Sequence, residues 1–428
     1  MSTAMRPGPV RPPAARQAGF ALIALVAFIG IVAAVFVVRS LDADALAAEQ
    51  NQRTVEALQA AREALLAFAA ADENNRPGAL PCPDVDGDGD SLALVEYAGA
   101  NCVASIGRLP WKRLRIPELR DASGEPLWYA VSPAFNNAGP SNGLPPFMAG
   151  DTSNMLTIDG LPGTFGAILF APGPALQGQV RSGVAANSHV NYLDGVNASP
   201  TLAFSAALPG PAFNDRLLPI AREELVAIAE RRVAREVAEA LKGYFDLYRF
   251  LPQPSPFQNV TCIGSDLIVP GGCQGAPGIL AGRLPASVTP DAYDAVGSAR
   301  PSDRPSSELL NGFASSQFER VWFQLQRWRE HVVYIVAPNC VGPPVTNCAA
   351  GTLNLRSGAL DVADARFIVL MAGPPGAGQT RAAAPDRLVL GNYLEEPALS
   401  AVQALAAGTV PPQIVVPAGT VVATPRLN

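Results

Sequence analysis

Tyr129-Ala130-Val131-Ser132-Pro133 is answered far down the chain by Tyr334-Ile335-Val336-Ala337-Pro338, and this pair of short apolar stretches decides how the rest is parsed. The second belongs to a strand read from Val332 to Val336. Working outward, Leu80-Pro81-Cys82-Pro83 matches Leu251-Pro252-Gln253-Pro254, and Gly107-Arg108-Leu109-Pro110 matches Gly282-Arg283-Leu284-Pro285. Downstream, Leu169-Phe170-Ala171-Pro172-Gly173-Pro174 pairs with Leu370-Met371-Ala372-Gly373-Pro374-Pro375, and Asn191-Tyr192-Leu193-Asp194 with Asn392-Tyr393-Leu394-Glu395, both at an offset of 201 positions. Blocks that keep their order across two halves are an internal repeat.

A helical pattern precedes each copy. From Ser40 to about Ala71 the residues Val55, Leu58, Ala61, Leu65 and Phe68 recur at three- to four-residue steps, the period of one helix face. A second helix is predicted from about Pro219, with proline in its first turn, to Tyr248, carrying Leu225, Ala229, Val233, Val237, Leu241, Tyr244 and Tyr248 on one side. Short β-rich segments follow, such as Ala167 to Phe170 and Arg366 to Met371. The fold class is therefore α+β: a long amphipathic helix packed on a small antiparallel sheet, then a second such unit. The predicted units run over 39–218 and 219–428.

The first helix is preceded by an uninterrupted apolar run from Phe20 to Val38. At roughly 1.5 Å per helical residue it reaches about 28 Å, close to the hydrocarbon thickness of a bilayer. Its Phe, Leu, Ile and Val residues favour insertion by roughly 4 to 8 kcal/mol, and no charge opposes them. Arg6, Arg11 and Arg16 lie ahead of it with no acidic residue among them. The positive-inside bias holds residues 1–19 in the cytoplasm, makes 20–38 a transmembrane helix and sends the remainder across. The second unit has no such anchor. Two simpler readings of this segment are a signal peptide cut after Ala43-Asp44-Ala45, opposed by the length of the run, and a plain signal anchor.

The junction itself favours a third reading. A basic leader ending at Gly19, immediately followed by Phe20 at the mouth of an apolar helix, resembles the class III leader of type IV pilins and type II secretion pseudopilins. The resemblance implies cleavage between Gly19 and Phe20 by prepilin peptidase, methylation of the new amino terminus, and packing of the helix beside other pilin or pseudopilin subunits. It also implies a bacterial inner-membrane protein with its bulk in the periplasm, and a pilin fold for each α+β unit. The region from Leu80 to Phe135, with Leu-Pro-Cys-Pro, Gly-Arg-Leu-Pro-Trp and Leu-Trp-Tyr-Ala-Val blocks, resembles prepilin-like proteins of the same group. One feature departs from the pattern: the fifth mature position, usually Glu, is Ala24. A buried ammonium without its carboxylate partner is costly, and in the family this departure marks a minor, tip or initiating subunit.

Composition narrows the remaining classes. Of 428 residues, 49% are hydrophobic and 16% charged, enough for two cores. The net charge of −6, with no basic run of length beyond the leader, excludes nucleic acid as a partner. With 41 Pro and 38 Gly the exported part is expected to be rich in turns. Six cysteines fall as neighbours, Cys82 with Cys102, Cys262 with Cys273 and Cys340 with Cys348. In an oxidising compartment sequential pairing is the simplest of the 15 connectivities that six cysteines allow. Zinc is disfavoured, because no CxxC spacing occurs and the two histidines, His189 and His331, stand apart.

Asp84-Val85-Asp86-Gly87-Asp88-Gly89-Asp90 follows the opening of a calcium loop, with carboxylates Asp84, Asp86, Asp88 and Asp90 at alternate positions and glycines at the bends. The closing ligand is out of register, since the twelfth position is Val95 and Glu96 comes one later. A calcium ion and a solvated Asp/Gly turn are the two readings of this stretch. Gly373 to Thr380 looks like a phosphate-binding loop, but Gln379 stands where the lysine belongs, which disfavours nucleotide. Both histidines read as structural. Val321, Leu325 and Trp328 fall at helical spacing, which makes Trp322, Phe323 and Trp328 a core cluster, and the Gly297 to Ser316 insert, without counterpart in the first unit, is a candidate contact for a partner. No nucleophile and base can be paired, so the chain reads as non-enzymatic. The sequence points to a minor pilin- or pseudopilin-like subunit; the alternative is an exported binding protein or adhesin that uses the helix only as anchor or signal.

Overall fold

The computed structural model describes residues 45–71, 77–91, 97–98, 101–136, 154–199, 201–263, 273–285, 327–342, 348 and 351–424. Gly19, Phe20, the apolar run to Val38, Trp322, Phe323 and the Gly297 to Ser316 insert lie outside them. Contacts divide the chain into Met1–Val55 and Glu56–Asn428. Among the described residues no helix is long and apolar enough to cross a membrane.

Helix α1 covers residues 45–70. Leu58, Ala61, Leu65 and Ala69 are its buried stripe, while Val55 is 40% exposed and Phe68 half-buried. The stripe thus keeps the helical period but turns towards Ala69 at its end. Full burial of each leucine is worth about 1.5–3 kcal/mol. A hairpin of β1 (Tyr97–Ala98) and β2 (Asn101–Cys102) leads to the first main sheet. That sheet takes β3 (Ile106–Arg108), β4 (Trp128–Val131), β6 (Phe165–Ala171) and β8 (Arg216–Ala221), all antiparallel and in the order β3-β4-β6-β8. β5 (Thr157–Asp159) and β7 (Ala203–Ser205) form a small parallel pair.

The first sheet is covered on both faces, which is why its strands read as apolar runs without alternation. Tyr129, Val131, Ala167 and Leu169 join the main core, whereas Trp128, Ala130, Ile168 and Phe170 join a second cluster with Ile158, Tyr192 and Phe204. Successive residues of a strand point to opposite faces, so one four-residue strand serves both.

Helix α2 runs from Arg222 to Tyr248, not from Pro219. Residues 216–221 instead extend β8 along β6, with Pro219 opposite Ile168. Proline is tolerated there because β8 is an edge strand and needs no donor on its open side. The helix opens with Glu223 and Glu224 in its first turn, favourable for its dipole. Leu225, Val226, Ala229, Val233, Val237, Leu241 and Tyr244 are buried along it.

The second main sheet repeats the first: β9 (Ala281–Gly282), β10 (Val332–Val336), β13 (Phe367–Met371) and β15 (Val422–Ala423), in the order β15-β13-β10-β9. A three-stranded sheet of β11 (Leu353–Ser357), β12 (Leu360–Ala365) and β14 (Ile414–Val416), with helix α3 (Ala398–Ala406) against β9 and β14, completes this half. The predicted boundary at residue 218 falls inside β8, and α2 touches β6 and β8 of the first sheet as well as β13 and β15 of the second. One core unites residues from α1 to β14, so Glu56–Asn428 is a single compact unit.

The sheet register also corrects the alignment of the repeats. Tyr129 lies opposite Leu169 and Gly107, and Tyr334 lies opposite Val369 and Gly282. Leu169 therefore corresponds to Val369, one position short of the match made from sequence. Gly173 and Gly373, both at φ +65°, share that corrected offset. The extra residue of the second copy enters between Arg381 and Asn392.

Candidate functional site

The acidic loop leaves Cys82, which is bonded to Cys102. The backbones of Asp84 and Arg108 exchange two hydrogen bonds, of 3.1 and 2.8 Å, fixing the base of the loop to β3. Asp84 is buried, and its two carboxylate oxygens accept the N–H groups of Gly87 at 2.6 Å and Gly89 at 2.8 Å. Those glycines sit at φ +84° and +87°, a region costly to other residues. A Cβ on Gly89 would also enter the indole of Trp111. Burial pushes the Asp84 carboxyl up to about 6, helped by the charges of Asp86 and Asp88 and opposed by the two backbone donors.

Asp86, Asp88 and Asp90 each accept a backbone N–H from one or two residues on, at 3.1, 2.7 and 2.7 Å. Oxygens of Asp84, Asp86 and Asp88 lie within 4.8 Å of one another; Asp90 is not in that group. The donor set is of the type a hard cation such as calcium takes. Its geometry is also that of a turn satisfied by its own amides, with Asp84 already committed to two of them. A cation approaching from solvent meets Asp86 and Asp88, which are exposed.

The phosphate-loop look-alike proves to be one copy of a duplicated clasp that the sequence reading passed over. Gln379 folds back so that its Oε1 accepts the Gly376 N–H at 2.8 Å, filling the space a phosphate would need. Arg381 then donates to the carbonyls of Gly373 (2.7 Å) and Asn392 (2.6 Å), with its guanidinium 4.4 Å from the Tyr393 ring centre. The first half does the same: Gln179 Oε1 accepts from Leu176 at 2.9 Å, Arg181 donates to Gly173 (2.7 Å) and Asn191 (3.0 Å) and lies 4.7 Å over Tyr192. The shared signal was Gly-x5-Gln-x-Arg at 173–181 and 373–381, hidden by an alignment one residue out.

Each clasp has its own carboxylate. In the first, Asp121 accepts the Gly173 N–H at 2.8 Å and Glu125 pairs with Arg181 at 3.1 Å. In the second, Glu230 of α2 accepts from Gly373, and burial raises its carboxyl to about 7 despite Arg381 nearby. Arg381 in turn is lowered to about 10, chiefly by burial. Its guanidinium reaches Nδ1 of His331 at 3.1 Å. Since arginine only donates, Nδ1 accepts and the proton of this wholly buried, neutral ring sits on Nε2. His189 packs edge-on to Trp128, 6.5 Å between centroids, and Trp328 is buried in the short 3-10 turn Trp328–His331.

All three cysteine pairs are sequential, Cys82–Cys102, Cys262–Cys273 and Cys340–Cys348. Among the described residues the only group of three potential metal ligands is Asp84, Asp86 and Asp88. No family model matches the chain, and neither does any curated protein or solved structure.

Proposed function

We propose that this chain is a membrane-anchored, non-enzymatic structural subunit of the pilin and pseudopilin kind, released from its leader before Phe20 by a prepilin peptidase. The observation that carries the reading is the junction of Arg6, Arg11 and Arg16, then Gly19-Phe20, then an unbroken apolar run to Val38. Supporting it, α1 lies a few residues beyond the run and buries Leu58, Ala61, Leu65 and Ala69 in the core of an α+β body with antiparallel sheets. Three disulfides suit an oxidising compartment such as the periplasm. Phe20 to Val38 packs beside kindred apolar helices in the inner membrane, and Ala24 in place of the usual Glu suits a minor subunit of a type II secretion or type IV pilus assembly. Calcium at the acidic loop is an optional addition on which this role does not depend.

Mass spectrometry of the mature amino terminus tests the proposal. A free or methylated Phe20 is the expected result. An intact initiator Met1 would leave a plain anchor, and a terminus at Leu46 would mean a secreted binding protein; either sinks the proposal.

A further inference from the structure

Lys112-Arg113-Leu114-Arg115 concentrates cations in a chain whose net charge is −6. The segment is a tight turn held by three backbone bonds of 3.0 Å, from Leu114 to Pro110, Arg115 to Lys112 and Ile116 to Trp111. Arg115 takes φ +58°, which a non-glycine residue adopts only when its surroundings over-determine it. Against this turn lies the end of α1, and between them opens a groove of about 340 Å³, floored by Ala67, Phe68 and Ala71 and walled by Arg113 to Ile116.

Ala64, Ala67 and Ala71 recur at helical spacing along the groove. On a solvated helix face these positions ordinarily carry long charged side chains; here methyl groups leave the space open. The Arg113 guanidinium stands 5.5 Å from the Phe68 ring centre and lines the groove. A guanidinium beside an apolar floor has its best complement in a carboxylate next to an aliphatic or aromatic group. The groove takes one or two side chains, while exposed Lys112 extends the positive footprint beyond it. That shape suits a polypeptide better than a small molecule, because a peptide reaches the groove and its charged rim together.

We infer that the groove between the end of α1 and the Lys112–Ile116 turn docks an acidic segment of another protein, seating one large apolar side chain over Ala67 and Phe68 and a neighbouring carboxylate on Arg113. This site is independent of leader processing.

The test is a selection from a random twelve-residue peptide display library on the full-length chain in nanodiscs, followed by affinity measurement on wild type, Ala67→Trp, which fills the groove, and Arg113→Glu, which reverses its charge. Thermal melting of each variant checks its fold, and Lys112→Glu replaces Arg113→Glu if that variant is unstable. The expected outcome is enrichment of Asp or Glu adjacent to Leu, Phe or Trp, with binding at least tenfold weaker to both variants. Enriched peptides without acidic residues, equal binding to the variants, or no enrichment while laurate binds the groove would each overturn the proposal.

Discussion

The Tyr334 hydroxyl donates to the Pro252 carbonyl at 2.9 Å, as the Tyr129 hydroxyl donates to Pro81 at 3.1 Å. Both tyrosines are fully buried, and both tie the central strand of a sheet to the Leu-Pro segment that enters it. Replacing either with phenylalanine strands a buried carbonyl. We expect Tyr334→Phe and Tyr129→Phe each to cost about 1–3 kcal/mol in urea unfolding. No loss in either would mean that the bond contributes nothing net.

Gly107 and Gly282 occupy the same place in the two halves, opposite Tyr129 and Tyr334. A Cβ on either would collide with the carbonyl oxygen of Asp84 or Ser255 across the bridge. Backbone cannot yield as a flexible side chain does. Gly282→Ala and Gly107→Ala should therefore each destabilise by about 1–3 kcal/mol, the range for overpacking. Gly124→Ala, at a turn open to solvent, serves as the comparison, with only the smaller cost of its φ of +81°.

Asp215 gives the protein a pH dependence of defined sign. Its carboxyl is buried and raised to about 7, mainly by desolvation and partly by Asp194, against hydrogen bonds from the Asp194 N–H and Asn197. A folded value above the unfolded one means that protonation favours the fold. The contribution is complete below about 3.8 and is lost as pH rises through about 7. Asp215→Asn keeps an acceptor but no charge, so it should be more stable than wild type at pH 8, and this advantage should be smaller at pH 5 and vanish only below about pH 3.8. Chemical denaturation at the two pH values reads the difference, and an equal gain at both would remove Asp215 as its source.

Loss of the Cys82–Cys102 bridge, which closes a separation of 20 residues, should cost about 2–4 kcal/mol. The double variant Cys82→Ser/Cys102→Ser reports this without leaving a reactive thiol. Because Cys82 is buried at the base of the acidic loop, protection of the Gly87 and Gly89 amides from hydrogen exchange should fall in parallel. Retained protection would show that Asp84 alone holds the loop.

Replacing Gly19 tests the functional reading directly. Gly19→Val should abolish cleavage before Phe20, leaving a longer membrane form on immunoblot whose disulfide-bonded body melts as wild type does. Normal maturation of this variant would count against the prepilin reading.

Much of the architecture was open to pattern reading because it is local or periodic. The stripe of α1, the strand character of Ala167 to Phe170 and the neighbouring cysteine pairs all follow from short-range spacing, and the repeat of Leu-Pro, Gly-Arg-Leu-Pro and Tyr blocks exposed the duplication. Pro219 misled, because proline suits both a helix's first turn and an edge strand, and only pairing with β6 tells them apart. The clasps of Arg181 and Arg381 escaped notice for a related reason: an arginine's partners were backbone carbonyls, which carry no sequence signature.

By itself the sequence determined the apolar run behind Gly19, the tandem α+β pattern and the neighbouring cysteine pairs, since hydrophobic period, charge and cysteine spacing act along the chain. Only the tertiary structure decided that α2 joins both sheets in one core, that Gln379 occupies its own loop, that Asp84 is buried among its neighbours' amides and that a groove opens beside Arg113. These depend on which surfaces meet after folding, and burial and hydrogen bonding between residues distant in sequence are settled by packing.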